Sequence, residues 1–304
     1  MSLPLEQPAH LAVALATPIA LAAVGETIVE STGVLFLGLE GAMLVGALGA
    51  VLGAHASGSA AVGVFCGIAA GSIFALLFAF LTLKLRADDV IAGTAMNLLA
   101  AGGTAVAWRA ALSRAGGDVR APGLEPLTVP LLSEIPFLGT VLFQHHAITY
   151  ALILVVPAAG IFLFRTSAGL RWRAAGESPL AAASLGIATI SVRARALGIC
   201  GALAGAGGAC LSIADTRTFV EGMTAGRGFL ALALVIFGNH RPGWVGSAAL
   251  LFGGALAAQY GFAAAGWNVA PEAFRALPYV LSLAVLALFV GKRRAPSGLG
   301  QGLG

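Results

Sequence analysis

Charge is scarce in this sequence. Asp, Glu, Lys and Arg make up only 10% of its 304 residues, whereas 59% are hydrophobic, and a soluble domain carries roughly 25% charged residues. A water-soluble fold could not bury so much apolar surface, and the mean hydropathy of +0.94 indicates that the solvent is a lipid bilayer. The formal charge is +4, but the basic residues flank apolar runs, as topology determinants do. We therefore expect no binding to nucleic acid.

The motifs of soluble enzymes are also missing. The sequence contains none of G-x-x-x-x-G-K-[ST], G-x-G-x-x-G, H-E-x-x-H or G-x-S-x-G, so it lacks the P-loop, dinucleotide, zinc-protease and hydrolase signatures. None of the histidines shows a metal-ligand spacing; they are His10, His55, His145, His146 and His240. We expect no cofactor, no metal ion and no catalytic residue in this chain, and a membrane-embedded enzyme is the least favoured class.

Nine apolar runs predict helices that cross the membrane. They lie near residues 11–25, 37–55, 60–83, 89–112, 147–164, 193–214, 227–239, 243–264 and 277–291. Most of them reach the roughly 17 to 25 residues that a spanning helix needs, but the run at 227–239 is short enough to be a half-helix. The predicted fold is an all-α, polytopic transmembrane helical bundle of about eight to ten spans, formed by a single domain over residues 1–304.

Lysine and arginine mark the loops that stay in the cytoplasm. The tail 292–304 begins with three basic residues, the loop 165–195 carries five arginines, and Lys84 with Arg86 marks a third inner loop. The proline-rich segment 113–146 then falls outside. Nine spans would place the N-terminus outside, whereas eight or ten would place it inside, and the sequence leaves this parity open.

Small residues at helical spacing predict close packing of helices. Pairs of glycines stand four residues apart in two runs, and a longer line of small residues follows in a third; these are Gly49 and Gly53, Gly67 and Gly71, and Gly201, Gly205 and Ala209. Such spacing lets backbones approach one another in a membrane bundle, so we interpret it as packing and not as a binding site. A sharp structural turn is predicted where the run at 227–239 opens, at Gly226, Arg227 and Gly228.

Polar residues inside or beside the apolar runs are candidates for function. Glu40 lies between Leu39 and Gly41, and a charge in such a segment costs several kcal/mol. Its carboxylate is predicted either to line a translocation pathway or to form a structural link that holds the bend of the segment. By contrast, Glu26 and Glu30, at the end of the first run, are interpreted as a solvated helix end.

One face of the run at 89–112 is polar or small. At spacings of 3, 4, 3 and 4, which follow one side of a helix, it carries Thr94, Asn97, Ala101, Thr104 and Trp108. An asparagine inside the membrane needs a protein partner or water. The face either lines a translocation pathway, with Thr94, Asn97 and Thr104 as candidates, or makes structural hydrogen bonds between helices.

A short helix is predicted outside the membrane, in the loop 166–192. Ser178 can cap this helix, Pro179 suits its first position and Gly186 can end it, which gives about two turns. Its exposed side offers Leu180, Ala181, Ser184 and Leu185. Such a helix either docks in a groove on a partner protein or lies at the membrane interface.

Four stretches, in a fixed order from about residue 25 to 260, resemble the permease subunits of ABC importers for simple sugars, branched-chain amino acids and nucleosides. The chain is most similar to the second permease of nucleoside importers that work with basic-membrane-protein-type lipoprotein receptors. The stretches are Gly33-Val34-Leu35 through Gly38-Leu39-Glu40-Gly41; Leu83-Lys84-Leu85-Arg86-Ala87 with Val90-Ile91-Ala92-Gly93-Thr94; Gly176-Glu177-Ser178-Pro179 with Ala181-Ala182 and Gly186-Ile187; and Met223-Thr224-Ala225-Gly226-Arg227-Gly228-Phe229 with Ala231-Leu232-Ala233 and Ile236-Phe237-Gly238. The chain departs from the family at Ser31, where Arg is usual, and at Phe36, where Asn is common. These departures leave the expected fold intact, but they weaken the inference of this chain's substrate from that of the family.

The resemblance implies a translocation subunit and not an enzyme, placed as a multi-pass protein in the inner (plasma) membrane of the cell. It implies three protein partners: a second permease subunit, an ABC ATPase subunit that hydrolyses ATP, and an extracytoplasmic solute-binding protein. The expected cargo is a nucleoside or purine, with a simple sugar second, moved by ATP-driven alternating access. An alternative is a self-contained, ion-coupled secondary transporter or channel, in which Glu40 would be the ionisable residue.

The resemblance also assigns a role to the loop 166–192. It corresponds to the cytoplasmic segment that docks on the ATPase, and we call it the coupling segment. The candidates for ATPase coupling are Arg173, Gly176, Glu177, Ser178, Pro179, Ala181 and Gly186. Co-purification of an ATPase would separate an ABC importer from the ion-coupled alternative.

Overall fold

The structure is a computed structural model that describes residues 6–128, 138–264 and 296–300, without the side chains of 259–264. Its helices are α1 (Glu6–Glu30), α2 (Leu39–Ser57), α3 (Ala60–Ala79), α4 (Asp89–Arg114), α5 (Leu138–Leu142), α6 (Ala147–Arg165), α7 (Ser167–Glu177), α8 (Pro179–Ser184), α9 (Thr189–Ala209), α10 (Arg227–Phe237) and α11 (Pro242–Ala264). Two of them continue as a π-helical turn, α3 over Phe80–Lys84 and α9 over Cys210–Thr216. Strands in the described residues are limited to β1 (Leu127–Thr128) and β2 (Gln144–His145), which pair antiparallel. The predicted all-α class is confirmed.

Among the described residues, six helices are long and apolar enough to cross a membrane. They are α1, α2, α3 with its π-helical turn, α4, α6, and α9 with its π-helical turn. Two shorter apolar helices follow, Arg227–Phe237 and Pro242–Ala258. The predicted run at 277–291 lies outside the described residues, so the count of eight to ten spans stays a prediction.

One end of the bundle gathers the segments that were predicted to lie outside the cell. His10, at the start of α1, has its Nε2 atom 3.0 Å from the carbonyl oxygen of Gln144. His55, near the end of α2, has its Nδ1 atom 3.1 Å from the carbonyl oxygen of Arg120. We call this the outer end. The start of α1 lies here, which is the arrangement expected for an odd number of spans.

The opposite end gathers segments that were predicted to be cytoplasmic. In the tail, the amide of Gly298 donates to the carbonyl of Gly176 at 3.0 Å, and the amide of Gly300 donates to the carbonyl of Gly33 at 3.2 Å. The tail and the coupling segment therefore meet beside the C-terminal end of α1. This grouping agrees with the orientation predicted from the basic residues, and we call it the inner end.

The centre of the bundle is held by glycines that bring backbones together. Helix α9 packs against α1, α2 and α3, and Gly205 on α9 faces the backbones of Gly46 on α2 and Gly71 on α3. A Cβ atom at Gly205 would lie 3.2 Å from the Cα atom of Ile68 and closer still to Gly67. The predicted packing role of the small residues is confirmed at this crossing, because only glycine leaves room for the neighbouring backbone.

We predict that two glycine-to-alanine substitutions affect stability differently. Gly205→Ala should lower the free energy of unfolding by about 1–3 kcal/mol, since the added methyl group overpacks the α9 crossing. Gly160→Ala on α6 should cause no loss, because no atom lies within 4 Å of a Cβ at that position and alanine favours a helix. Denaturant titration of both variants in detergent micelles measures the difference. Equal stability of the two variants would contradict the packing role of Gly205.

Candidate functional site

The chain between α1 and α2 is buried without forming a helix. We call residues 31–38 the connector. Buried non-helical backbone needs polar partners within the protein, and two ionisable side chains supply some of them. The carboxylate of Glu26 accepts a hydrogen bond from the amide of Phe36 at 2.9 Å, and the buried guanidinium of Arg193 donates to the carbonyl of Thr32 at 3.0 Å.

Asn97 on α4 bridges the connector to the first turn of α2. Its Nδ2 atom donates to the carbonyl of Leu37 at 2.8 Å, while its Oδ1 atom accepts from the amide of Gly41 at 2.8 Å. One side chain thus satisfies a backbone acceptor and a backbone donor on either side of the start of α2. This arrangement is the structural alternative foreseen for the polar face of α4; a role for Asn97 in the pathway stays a prediction.

The interpretation of Glu26 and Glu30 as a solvated helix end was wrong. Glu26 is 0% exposed and Glu30 is 2% exposed. The connector folds back over the end of α1, so that Glu26 faces Phe36, and Oε2 of Glu30 lies 2.7 Å from Nε2 of His240. Composition alone could not show that the chain returns to cover this end.

Glu40 joins the stretch from Gly33 to Gly41 to the predicted turn at Gly226, Arg227 and Gly228. Its Oε1 atom accepts from the amide of Gly226 at 2.9 Å, and its Oε2 atom accepts from the amide of Gly228 at 2.6 Å. These amides open α10, where backbone N–H groups are unpaired and the helix dipole favours a negative charge. The carboxylate therefore caps α10. Glu40 therefore forms a structural link, as one of the two predicted alternatives required. The link connects α2 to the start of α10 and does not hold the bend of the segment that contains Glu40.

The predicted turn before α10 brings this backbone within reach of Glu40. Gly226 has a φ of +82°, which lies in the left-handed region that favours glycine. At Gly228, a Cβ atom would lie 2.6 Å from the backbone nitrogen of Glu40, so a larger residue would push the two segments apart. Arg227 between them turns back, and its side chain donates to the carbonyl of Met223 at 2.9 Å.

Helix α10 is a half-helix whose first turn lies inside the bundle. Its 11 residues span roughly 16 Å, about half of a hydrocarbon core of about 30 Å. Just past its last residue, His240 contacts Glu30 at the inner end. The capped start of α10 therefore lies inside the bundle, roughly half a hydrocarbon thickness from the inner end, and many transporters have broken helices that start within the bundle.

The predicted polar face of α4 is only partly turned towards the bundle. Thr104 and Trp108 are buried and Asn97 is half-buried, but Thr94 and Ala101 are exposed. The buried stripe instead runs through Ala92, Met96, Ala100, Thr104 and Trp108. The difference arises because α4 packs on α2 through its small residues, and polarity alone could not reveal that neighbour. The hydroxyl groups of Thr94 and Thr104 donate to carbonyls of their own helix.

The coupling segment forms two short helices instead of one. Helix α8 begins at Pro179 as predicted, and Gly186 follows it with a φ of +80°. Two details differ: the side chain of Ser178 makes no capping hydrogen bond, and α7 precedes α8 without having been predicted. The signal for α7 was Thr166, whose hydroxyl oxygen accepts from the amide of Gly169 at 3.0 Å, as an N-cap does.

Helix α8 presents apolar side chains to the surroundings. Leu180 is 80% exposed and Leu185 is 81% exposed, and Ala181 and Ser184 beside them are exposed as well. Large exposed hydrophobic groups clustered outside the membrane indicate an interaction surface. Their exposed side is the one predicted from the sequence.

The remaining candidates of the coupling segment lie on α7, against the rest of the protein. Gly176 is buried, and a Cβ atom there would lie 3.0 Å from the backbone nitrogen of Gly33. The guanidinium carbon of Arg173 lies 5.0 Å from the centre of the Phe164 ring, within reach of a cation–π interaction. Glu177 is exposed and contacts the tail. The segment is thus tied by Gly176 to the connector.

An exposed ion pair at the outer end joins α4 to the segment before α10. Arg109 donates through Nε to Oε1 of Glu221 at 2.9 Å and through a terminal nitrogen to Oε2 at 3.0 Å. These hydrogen bonds lower the pKa of the Glu221 carboxyl below its usual value. Because both groups are open to solvent, the pair contributes little to stability.

Comparison with known proteins identifies the architecture. Residues 10–286 match the family described as the permease component of the branched-chain amino acid transport system. The chain belongs to this family. Together with the six apolar helices, membership makes this permease a multi-pass protein of the plasma membrane and a subunit of an ABC-type importer. No solved structure matches the permease.

Three relatives align with most of the permease. The guanosine ABC transporter permease protein NupQ of Bacillus subtilis is 33% identical over 94% of this chain and 92% of its own length. The nucleoside ABC transporter permease protein NupC of Lactococcus lactis is 34% identical over 93% of this chain and 92% of its own length. A Haloferax volcanii protein provisionally named as a glucose ABC transporter permease, TsgC13, is 38% identical over 78% of this chain and 72% of its own length.

We predict that Glu40→Gln weakens the start of α10. The neutral amide keeps one acceptor oxygen and turns a donor towards a backbone donor, so the free energy of unfolding should fall by about 2 kcal/mol. The matched control is Glu221→Gln, which breaks an exposed pair and should change stability much less. Denaturant titration in detergent micelles, together with uptake in cells, measures both variants. A Glu40→Gln variant as stable and active as Glu221→Gln would contradict the capping role.

Proposed function

We propose that this permease imports nucleosides by alternating access, driven by a separate ABC ATPase that binds α8. The observation that carries the proposal is the exposure of Leu180 and Leu185 at the inner end, on a short helix outside the long apolar helices. The chain has no P-loop of its own, so the energy of ATP has to enter through a surface of this kind. The coupling segment candidates, from Arg173 to Gly186, belong to this surface or support it.

A continuous set of contacts supports transmission from α8 to the middle of the membrane. Movement of α8 displaces α7, whose Gly176 packs on the connector at Gly33. The connector leads into the first turn of α2, where Asn97 and Glu40 hold it to α4 and α10. A push at the inner end therefore reaches the start of α10 through packed backbone and hydrogen bonds, which is how coupling travels in rigid proteins.

The pathway for solute is proposed to run beside Glu40, Asn97, Thr94 and Thr104. For ATP to drive transport, the solute must bind the two alternating states with different affinity. Movement of α10 against α2 changes what surrounds these side chains. The complete importer in this proposal contains a second permease subunit and an extracytoplasmic solute-binding protein, and residues 1–304 act as one permease domain.

The relatives favour a nucleoside or purine as cargo, with a simple sugar second. The two relatives named for nucleosides or guanosine align over more than nine-tenths of both chains, whereas the one named for glucose aligns over 72% of its own length. An ion-coupled transporter is less well supported. Its ionisable residue would be Glu40, and both carboxylate oxygens of Glu40 already accept backbone hydrogen bonds.

We predict that the double variant Leu180→Glu with Leu185→Glu releases the ATPase. Two carboxylates would have to be desolvated in an apolar contact, so binding should fall by at least about tenfold. The control is Leu127→Glu, which alters an exposed leucine of β1 on the outer half. Affinity purification through a tag on the permease, followed by measurement of bound ATPase, gives the answer. Full retention of the ATPase by the double variant would refute docking through α8.

We predict that cells lacking the permease lose uptake of labelled guanosine and uridine but keep uptake of glucose. The reason is that the alignments with the two permeases named for nucleosides or guanosine cover more than nine-tenths of the chain, whereas the more identical glucose-named relative covers 78% of it. Uptake should also stop when ATP is depleted while the proton and sodium gradients are held constant. Loss of glucose uptake alone would reassign the cargo to a sugar, and uptake without ATP would favour the ion-coupled alternative.

A further inference from the structure

We propose that the tail residues 296–300 position the coupling segment by capping the C-terminal end of α7. The tail was expected only to mark the cytoplasmic side. In the structure it contacts the point where α7 ends and α8 begins. The inference rests on the proposed role of the coupling segment and adds a positioning element that lies 120 residues away in the sequence.

Ser297 and Gly298 bind the last carbonyls of α7. The amide of Gly298 donates to the carbonyl of Gly176 at 3.0 Å. The hydroxyl of Ser297 donates to the carbonyl of Glu177 at 2.5 Å and to its carboxylate at 3.1 Å, and the amide of Ser297 donates to the same carboxylate at 3.3 Å. The final carbonyls of a helix have no partner within the helix, so the tail supplies donors that α7 lacks.

Two glycines, Gly298 and Gly33, let the tail approach this closely. A Cβ atom at Gly298 would lie 2.5 Å from the carbonyl oxygen of Gly176 and 3.2 Å from Cδ of Pro179, the first residue of α8. A Cβ atom at Gly33 would lie 3.2 Å from the carbonyl oxygen of Gly298. The tail, the end of α7 and the connector therefore meet as bare backbones, and Gly300 adds a hydrogen bond to Gly33.

The tail therefore contacts both the start of α8 and the connector, and it fixes their relative positions. Glu177 and Pro179 are separated by a single residue, so the direction of α8 depends on how the last turn of α7 ends. Pro296, at the start of the tail, also lines a cavity of about 400 Å³ with Arg173, Glu177 and Arg241, which places the tail between α7 and the turn before α11. Without this contact, α8 could move while the connector stayed still, and each ATP hydrolysed would drive less transport.

The test compares four variants in the complete importer, purified through the permease and reconstituted with its ATPase, second permease and binding protein. Ser297→Ala removes the hydroxyl, and Gly298→Ala forces the tail away from Gly176. Ser297→Thr keeps the hydroxyl and serves as the rescue. Ser247→Ala is the control, because that exposed hydroxyl contacts only its own helix. The measured quantity is the amount of labelled guanosine transported per ATP hydrolysed.

We expect Ser297→Ala and Gly298→Ala to retain the bound ATPase but to transport about fivefold less guanosine per ATP, as the loss of one or two hydrogen bonds allows. Ser297→Thr and Ser247→Ala should match the unaltered protein. An unchanged ratio in both tail variants would overturn the proposal. Loss of the ATPase from the complex would overturn it too, because the tail would then serve assembly and not positioning.

The double variant of α8 separates this proposal from the proposed function. If Leu180→Glu with Leu185→Glu releases the ATPase while the tail variants transport normally, only the role of the tail is refuted. If the double variant keeps the ATPase, docking through α8 is refuted and the positioning role of the tail falls with it.

Discussion

The structure depends on polar side chains that satisfy a stretch of non-helical backbone buried inside the helical bundle. In the connector, amides and carbonyls cannot pair within a helix, and lipid offers them no partner. Glu26, Arg193 and Asn97 come from three different helices to supply the missing hydrogen bonds. Because each partner sits on another helix, the connector locks α1, α4 and α9 together at the point where α2 begins.

The same need explains why a carboxylate is tolerated in the first turn of α2. In the part of the chain that the structure describes, Glu40 forms no ion pair with a basic side chain, and its carboxylate is stabilised by the backbone amides at the start of α10. A half-helix that starts inside the bundle exposes unpaired amide donors there. An anion bound by these amides offsets both the cost of the unpaired donors and the cost of the buried charge. The polar features of this permease are therefore coupled, and the removal of one leaves its partner buried without a hydrogen bond.

At the inner end, close backbone contact is added to side-chain hydrogen bonds such as those between Ser297 and Glu177. The end of α7, the connector and the tail meet through glycines, so small displacements cannot be absorbed by flexible side chains. Packed backbone of this kind transmits movement as a rigid body. The exposed leucines of α8 lie at one end of this set of contacts, and the capped start of α10 lies at the other.

By itself, the sequence determined the helical class, the membrane environment and the exposed side of α8, and it predicted the sidedness of the loops. These follow from hydropathy, basic residues and turn chemistry, which act over short stretches of chain. The family was indicated by the resemblance of four stretches to known permeases. The sequence could not show that Glu26 and Glu30 are covered, that Thr94 turns away from Asn97, or that the tail caps α7. Those features were decided by tertiary structure, because each depends on which distant segment comes to lie beside a residue, and local pattern carries no information about that neighbour.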